Sequence, residues 1–85
     1  MQTFTHTIRD PHGIHARPAG LLASAAKPFA STVQVTCGGK TADGKRLLSL
    51  MSLGARSGNT LTFCIEGADE TEAAEVLRRR CEEVI

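Results

Sequence analysis

The chain has 85 residues, 41% of them hydrophobic, and ten Lys and Arg against nine Asp and Glu leave a net charge of +1. This length suits one domain spanning residues 1–85, near the lower limit for folding without staples. Balanced charge, no Trp or Tyr and only three Phe argue against nucleic-acid binding, and no apolar run approaches the ~20 residues that insert into a bilayer.

The first strand is expected over residues 2 to 9, where Phe4, His6 and Ile8 share one face and Thr3, Thr5 and Thr7 the other. His6, on the core-facing side, is read as a packed histidine. Asp10-Pro11-His12-Gly13 is turn material. From Ala16 to about Lys27 the pattern becomes helical, with Ala19, Leu22, Ala23 and Ala26 forming a narrow stripe of mostly small residues. Pro18 is tolerated in the first turn, and Pro28 ends the helix.

Val33, Val35 and Cys37 alternate again as a second strand. Gly38-Gly39 is a two-residue hairpin signal, so Lys40 to Ala42 should pair back as a short third strand. Asp43-Gly44 turns the chain into a short helix over Leu47 to Leu53. After the Ser57-Gly58-Asn59 turn, Leu61, Phe63 and Ile65 mark a fourth strand. Asp69 is placed as a helix cap, with Glu72 completing a capping box. Ala73, Val76, Leu77, Cys81 and Val84 stripe the last helix. Arg78-Arg79-Arg80 lies within pairing distance of Glu75, Glu82 and Glu83, so a solvated face is expected there.

The order is β-α-β-β-α-β-α. It predicts an α+β two-layer domain, a four-stranded and largely antiparallel sheet with all helices on one face. A ferredoxin-like wrap competes on element order alone. Cys37, Cys64 and Cys81 are odd in number and lack zinc-site spacing. With no apolar leader in MQTFTHTIRD, they are expected to be free thiols in a reducing cytoplasm.

GIHARPAG, residues 13 to 20, places His15 where the chain turns into a helix. A helix N-terminus offers unsatisfied amides and about half a positive charge, a ready anion site. It disfavours imidazolium, so a neutral, nucleophilic ring is expected at pH 7. The amides of Ala16 and Arg17 would face an anion held on that ring, and the Arg17 side chain could add charge-assisted hydrogen bonds. Gly13 and Gly20 are read as room for another surface to approach. The competing reading is a turn histidine with an arginine in solvent.

In the short helix, Leu47, Leu48, Leu50, Met51 and Leu53 cover more of the circumference than one core face needs. Leu50 and Leu53 fill the core. Leu48 and Met51, with Leu47 at the margin, are left as a docking surface.

GIHARPAG, with SLMSLG at 49 to 54 and EGADETEA at 66 to 73, resembles the histidine-containing phosphocarrier family, HPr, of the bacterial phosphoenolpyruvate:sugar phosphotransferase system, over essentially the whole chain. The resemblance implies an open-faced β-sandwich with three helices on one face. It implies a phosphohistidine at Nδ1 of His15, a phosphoryl contact by Arg17, enzyme I as donor and sugar-specific enzyme IIA proteins as acceptors. It also implies a carrier rather than a turnover catalyst, without cofactor and acting as a monomer. Gly20 and Leu21 match the first-helix part of the family's docking patch, which the surface of Leu47, Leu48 and Met51 continues.

Two positions depart from the family. Arg46 stands where many Gram-positive relatives carry a regulatory serine, which removes a phosphorylatable hydroxyl and an N-cap side chain. Ser49 and Ser52 are read as helix-surface serines. His12 stands where asparagine is more usual, and is read as a turn residue that acts on His15 rather than as a metal ligand. A regulatory module of the same fold and a small metal-handling domain are the alternative functions.

Overall fold

The computed structural model describes all 85 residues. The elements follow as β1 (Gln2–Thr7), α1 (Ala16–Ala26), β2 (Thr32–Cys37), β3 (Lys40–Asp43), α2 (Leu47–Met51), β4 (Thr60–Glu66) and α3 (Glu70–Val84). The four strands form one sheet in the order β1-β4-β2-β3, every neighbouring pair antiparallel.

Alternation dictates the layers. Phe4 pairs with Phe63, which pairs in turn with Val35, and all three are buried on the same face. Phe4 and Phe63 stack with centroids 4.6 Å apart. Leu61, Ile65 and Val33 complete that inner face, while the threonines opposite stay wet or half-buried.

The small stripe of α1 has a packing consequence. Ala19, Ala23 and Ala26 are buried with Leu22, and short side chains let the helix lie close to its neighbours. Leu50 from α2 and Ala73, Leu77 and Cys81 from α3 join the same core. Cys81 is inert there: burial, with Glu82 adjacent, pushes its thiol up to about 12. All three cysteines are free thiols.

Several local expectations are corrected. α2 ends at Met51, so Leu53 reaches the core from the turn that follows. Ala74 takes a buried place on α3 while Val76 is only half-buried. Asp69 precedes α3 but makes no side-chain cap. Its carboxylate instead accepts from the amides of Ala30 and Ser31 and from the Ser31 hydroxyl, holding the α1–β2 connection against the start of α3. Glu70, rather than Glu72, reaches back, to the Gly67 amide at 3.2 Å. The arginine run is not uniformly solvated, because the Arg78 guanidinium lies 5.4 Å over the Phe4 ring. Arg79 and Arg80 pair with Glu75 and Glu83 as expected.

Candidate functional site

The segment between β1 and α1 is anchored at several points. The amides of Arg9 and Asp10 both donate to the Ile85 carbonyl, at 2.6 and 2.9 Å. The Gly13 amide donates to the Asp10 carbonyl at 3.0 Å, and the Ile14 amide to the Ala55 carbonyl at 3.0 Å. Gly13 has φ +66°, and a Cβ there would lie 2.5 Å from the Ala55 oxygen and 2.8 Å from the Arg56 Cα. Glycine is needed because the chain itself occupies that space. The expectation that Gly13 leaves room for a partner is therefore wrong. Gly20, where a Cβ would come within 3.9 Å of a Leu47 methyl, lies where α1 meets α2.

His15 then occupies the N-cap of α1 in an extended backbone conformation, with its ring making no cap bond. Its carbonyl accepts from the Ala19 amide at 3.0 Å, and Pro18 has no amide hydrogen. The free donors at this helix end are thus the amides of Ala16 and Arg17, the two expected from the sequence. The ring is half-exposed. The Arg17 side chain is exposed and makes no ion pair or hydrogen bond within the chain.

A cleft of about 340 Å³ runs beside the ring, lined among others by Asp10, His12, His15, Arg17, Leu21 and Glu83. The His12 and His15 rings stand edge to face with centroids 6.0 Å apart, and the His12 amide donates to Asp10 Oδ1 at 2.8 Å. Asp10 Oδ2 is 4.0 Å from His15 Nε2. In the sequence Asp10 is turn material. Its five-residue separation from His15 is not a helical spacing, and only the closed turn brings the two together.

The apolar side chains left over on α2 are exposed. Leu48 is 77% exposed, and Leu47, Met51 and Leu21 are 38 to 39% exposed, while Leu50 is buried. Arg46 takes the N-cap of α2 without a side-chain cap bond. Ser49 is only half-buried surface: its hydroxyl accepts from the Asp43 amide at 2.8 Å, and Ser52 donates to the Ser49 carbonyl at 2.6 Å. His6 is half-buried on β1 with Nε2 enclosed and unpartnered, and burial lowers its pKa.

The family model described as the PTS HPr component phosphorylation site matches residues 2–83. The chain belongs to the HPr family. It is 44% identical over 77 residues to the phosphocarrier protein HPr of Lysinibacillus sphaericus, covering 91% of this chain and 88% of that one. Among solved structures, a Mycoplasma histidine-containing phosphocarrier protein superposes with a TM-score of 0.94 at 27% identity, covering 96% of this chain and 93% of the other. HPr from Thermoanaerobacter tengcongensis superposes with a TM-score of 0.91 at 36% identity, covering 98% and 93%. Members of the HPr family are phosphocarriers of the phosphotransferase system, and the open four-stranded sheet with three helices is their fold.

Proposed function

We propose that His15 accepts a phosphoryl group from phosphorylated enzyme I, itself charged by phosphoenolpyruvate, and passes it to sugar-specific enzyme IIA proteins in the cytoplasm. The observation that carries this is a half-exposed imidazole at the N-cap of α1, beside the two unpaired amides of Ala16 and Arg17 and an unpaired guanidinium.

The chemistry needs little more from the chain. The lone pair of Nδ1 attacks phosphorus while the donor's bond to phosphorus breaks. The transition state is loose, so positioning and charge stabilisation dominate. The helix amides and Arg17 face the phosphoryl oxygens, strongly enough to hold the group and weakly enough to release it. The chain acts as a carrier, chemically consumed and regenerated at each passage, with no cofactor. Leu21, Leu47, Leu48 and Met51, continued by Gly20, form the surface on which both partners dock, and a monomer leaves that surface open. Arg46 offers no hydroxyl, so serine phosphorylation is not available at that position.

Incubation with phosphoenolpyruvate and enzyme I tests the reading. It should yield an acid-labile, base-stable phosphate that is absent from His15→Ala and discharged by an enzyme IIA. A phosphate that no IIA removes would favour the regulatory module. No phosphate on His15 would refute the reading.

A further inference from the structure

We propose that Asp10 is a positioning residue for His15: its carboxylate holds the ring as the Nε2–H tautomer and leaves the Nδ1 lone pair free for phosphorus. The inference rests on His15 being the phosphoryl acceptor, and it adds a residue that acts through the ring.

The geometry supports it from three sides. The backbone of Asp10 is fixed, its amide donating to the Ile85 carbonyl and its carbonyl accepting from Gly13. One carboxylate oxygen is also fixed, since Oδ1 accepts the His12 amide at 2.8 Å. The other, Oδ2, is thereby aimed at His15 Nε2, 4.0 Å away. That gap exceeds a hydrogen bond, and contacts of this kind are commonly long in unloaded sites and tighten when the reacting group is bound. The carboxylate side chain is three-quarters covered, more shielded than the ring it faces.

The chemistry follows from the donor inventory. A carboxylate only accepts, so the ring nitrogen facing it must carry the proton. In the transfer, the Nδ1 lone pair forms the N–P bond, and the donor atom leaves with the electron pair of the bond that breaks. The Nε2 proton stays, and the ring becomes a phosphoimidazolium whose positive charge Asp10 balances. In onward transfer the N–P electron pair returns to Nδ1, so the same proton serves throughout. The other charged groups of the cleft are His12, Arg17 and Glu83. His12 and Arg17 add no negative charge, and Glu83 is engaged with Arg80 at 3.5 Å.

Nitrogen-15 NMR of the His15 ring, recorded at alkaline pH, reads the tautomer directly. Wild type should show the proton on Nε2. Asp10→Asn keeps an oxygen for the His12 amide and turns its NH₂ toward the ring, which stabilises the opposite tautomer. The proton should therefore move toward Nδ1, and phosphoryl uptake from enzyme I should fall about tenfold, as for carboxylates that orient histidines elsewhere. Asp10→Ser, a turn-former without charge, should give a mixture of tautomers and an intermediate rate, and serves if the asparagine variant misfolds. An unchanged tautomer and rate in these variants would overturn the role of Asp10 while His15 phosphorylation stands. A wild-type protein that takes no phosphate on His15 would instead refute the underlying function, and the tautomer comparison would still judge Asp10.

Discussion

Asp69 Oδ1 accepts both the amide and the hydroxyl of Ser31, a residue 38 positions earlier, while Oδ2 accepts the Ala30 amide at 2.8 Å. A carboxylate that the sequence marks as a local helix cap is used to tie the end of the α1 segment to the head of α3. Ser31 is fully buried, so its hydroxyl has no water to fall back on. Ser31→Ala should lower the melting temperature by about 5 °C, the shift expected for ~1 kcal/mol in a domain of this size. Unchanged melting would show that the backbone donors alone hold Asp69.

The same contact gives a pH dependence. The Ser31 hydroxyl, then the Ala30 amide, stabilise the anion and hold the Asp69 carboxyl below its ordinary value. The unfolded chain therefore takes up this proton first as pH falls. The contribution is complete above the ordinary carboxylate range, declines through it, and is gone below the depressed native value. Asp69→Asn should show a shallower loss of stability across that window in urea titrations, and an identical slope would remove Asp69 from the acid response.

Gly13 is the position where the site loop tolerates no side chain. Gly13→Ala must place a Cβ against the Ala55 carbonyl at positive φ. Left-handed strain of about 1–2 kcal/mol and overpacking of about 1–3 kcal/mol act together, so urea unfolding should show a loss of about 3 kcal/mol. A loss under ~1 kcal/mol would mean that the loop can shift away from residues 55 and 56.

Arg17 has no partner within the chain, so Arg17→Ala should leave stability within about 0.5 kcal/mol. Rapid-quench measurement of transfer from enzyme I should show a slowing of about tenfold, the loss of one charge-assisted hydrogen bond of ~1.5 kcal/mol. Transfer at the wild-type rate would remove Arg17 from the site.

Leu48 is the most exposed of the α2 apolar side chains. Leu48→Ser should change stability by no more than about 0.5 kcal/mol and weaken enzyme I binding, read by calorimetry, by about tenfold or more. Equal affinity would exclude α2 from the docking surface.

What the sequence made legible follows from the range of the interactions. Strand alternation and the α1 stripe are local periodicities, and the order they predict is the order found. His15 at a helix start was legible because Pro18 and the preceding turn lie within a few residues of it. Asp10, Asp69 and Gly13 meet their neighbours through the folded chain instead: His15 through a closed turn, Ser31 across the layer of helices, and Ala55 across the four elements that separate it from Gly13 in sequence. Their residue types announce turns and caps, which is their common local use, and only packing redirects them. Arg78 was misplaced for the same reason, since its partner Phe4 lies on β1, far away in sequence.

The proposed function stands on His15 carrying phosphate against the open end of α1. The most direct measurement is phosphorus–nitrogen correlated NMR of the protein charged by enzyme I and phosphoenolpyruvate, together with its backbone amide spectrum. The expected result is a bond from phosphorus to Nδ1 of His15, with the largest amide shifts at Ala16 and Arg17. Phosphorus bonded to any other residue, or amides of Ala16 and Arg17 that do not respond, would contradict it.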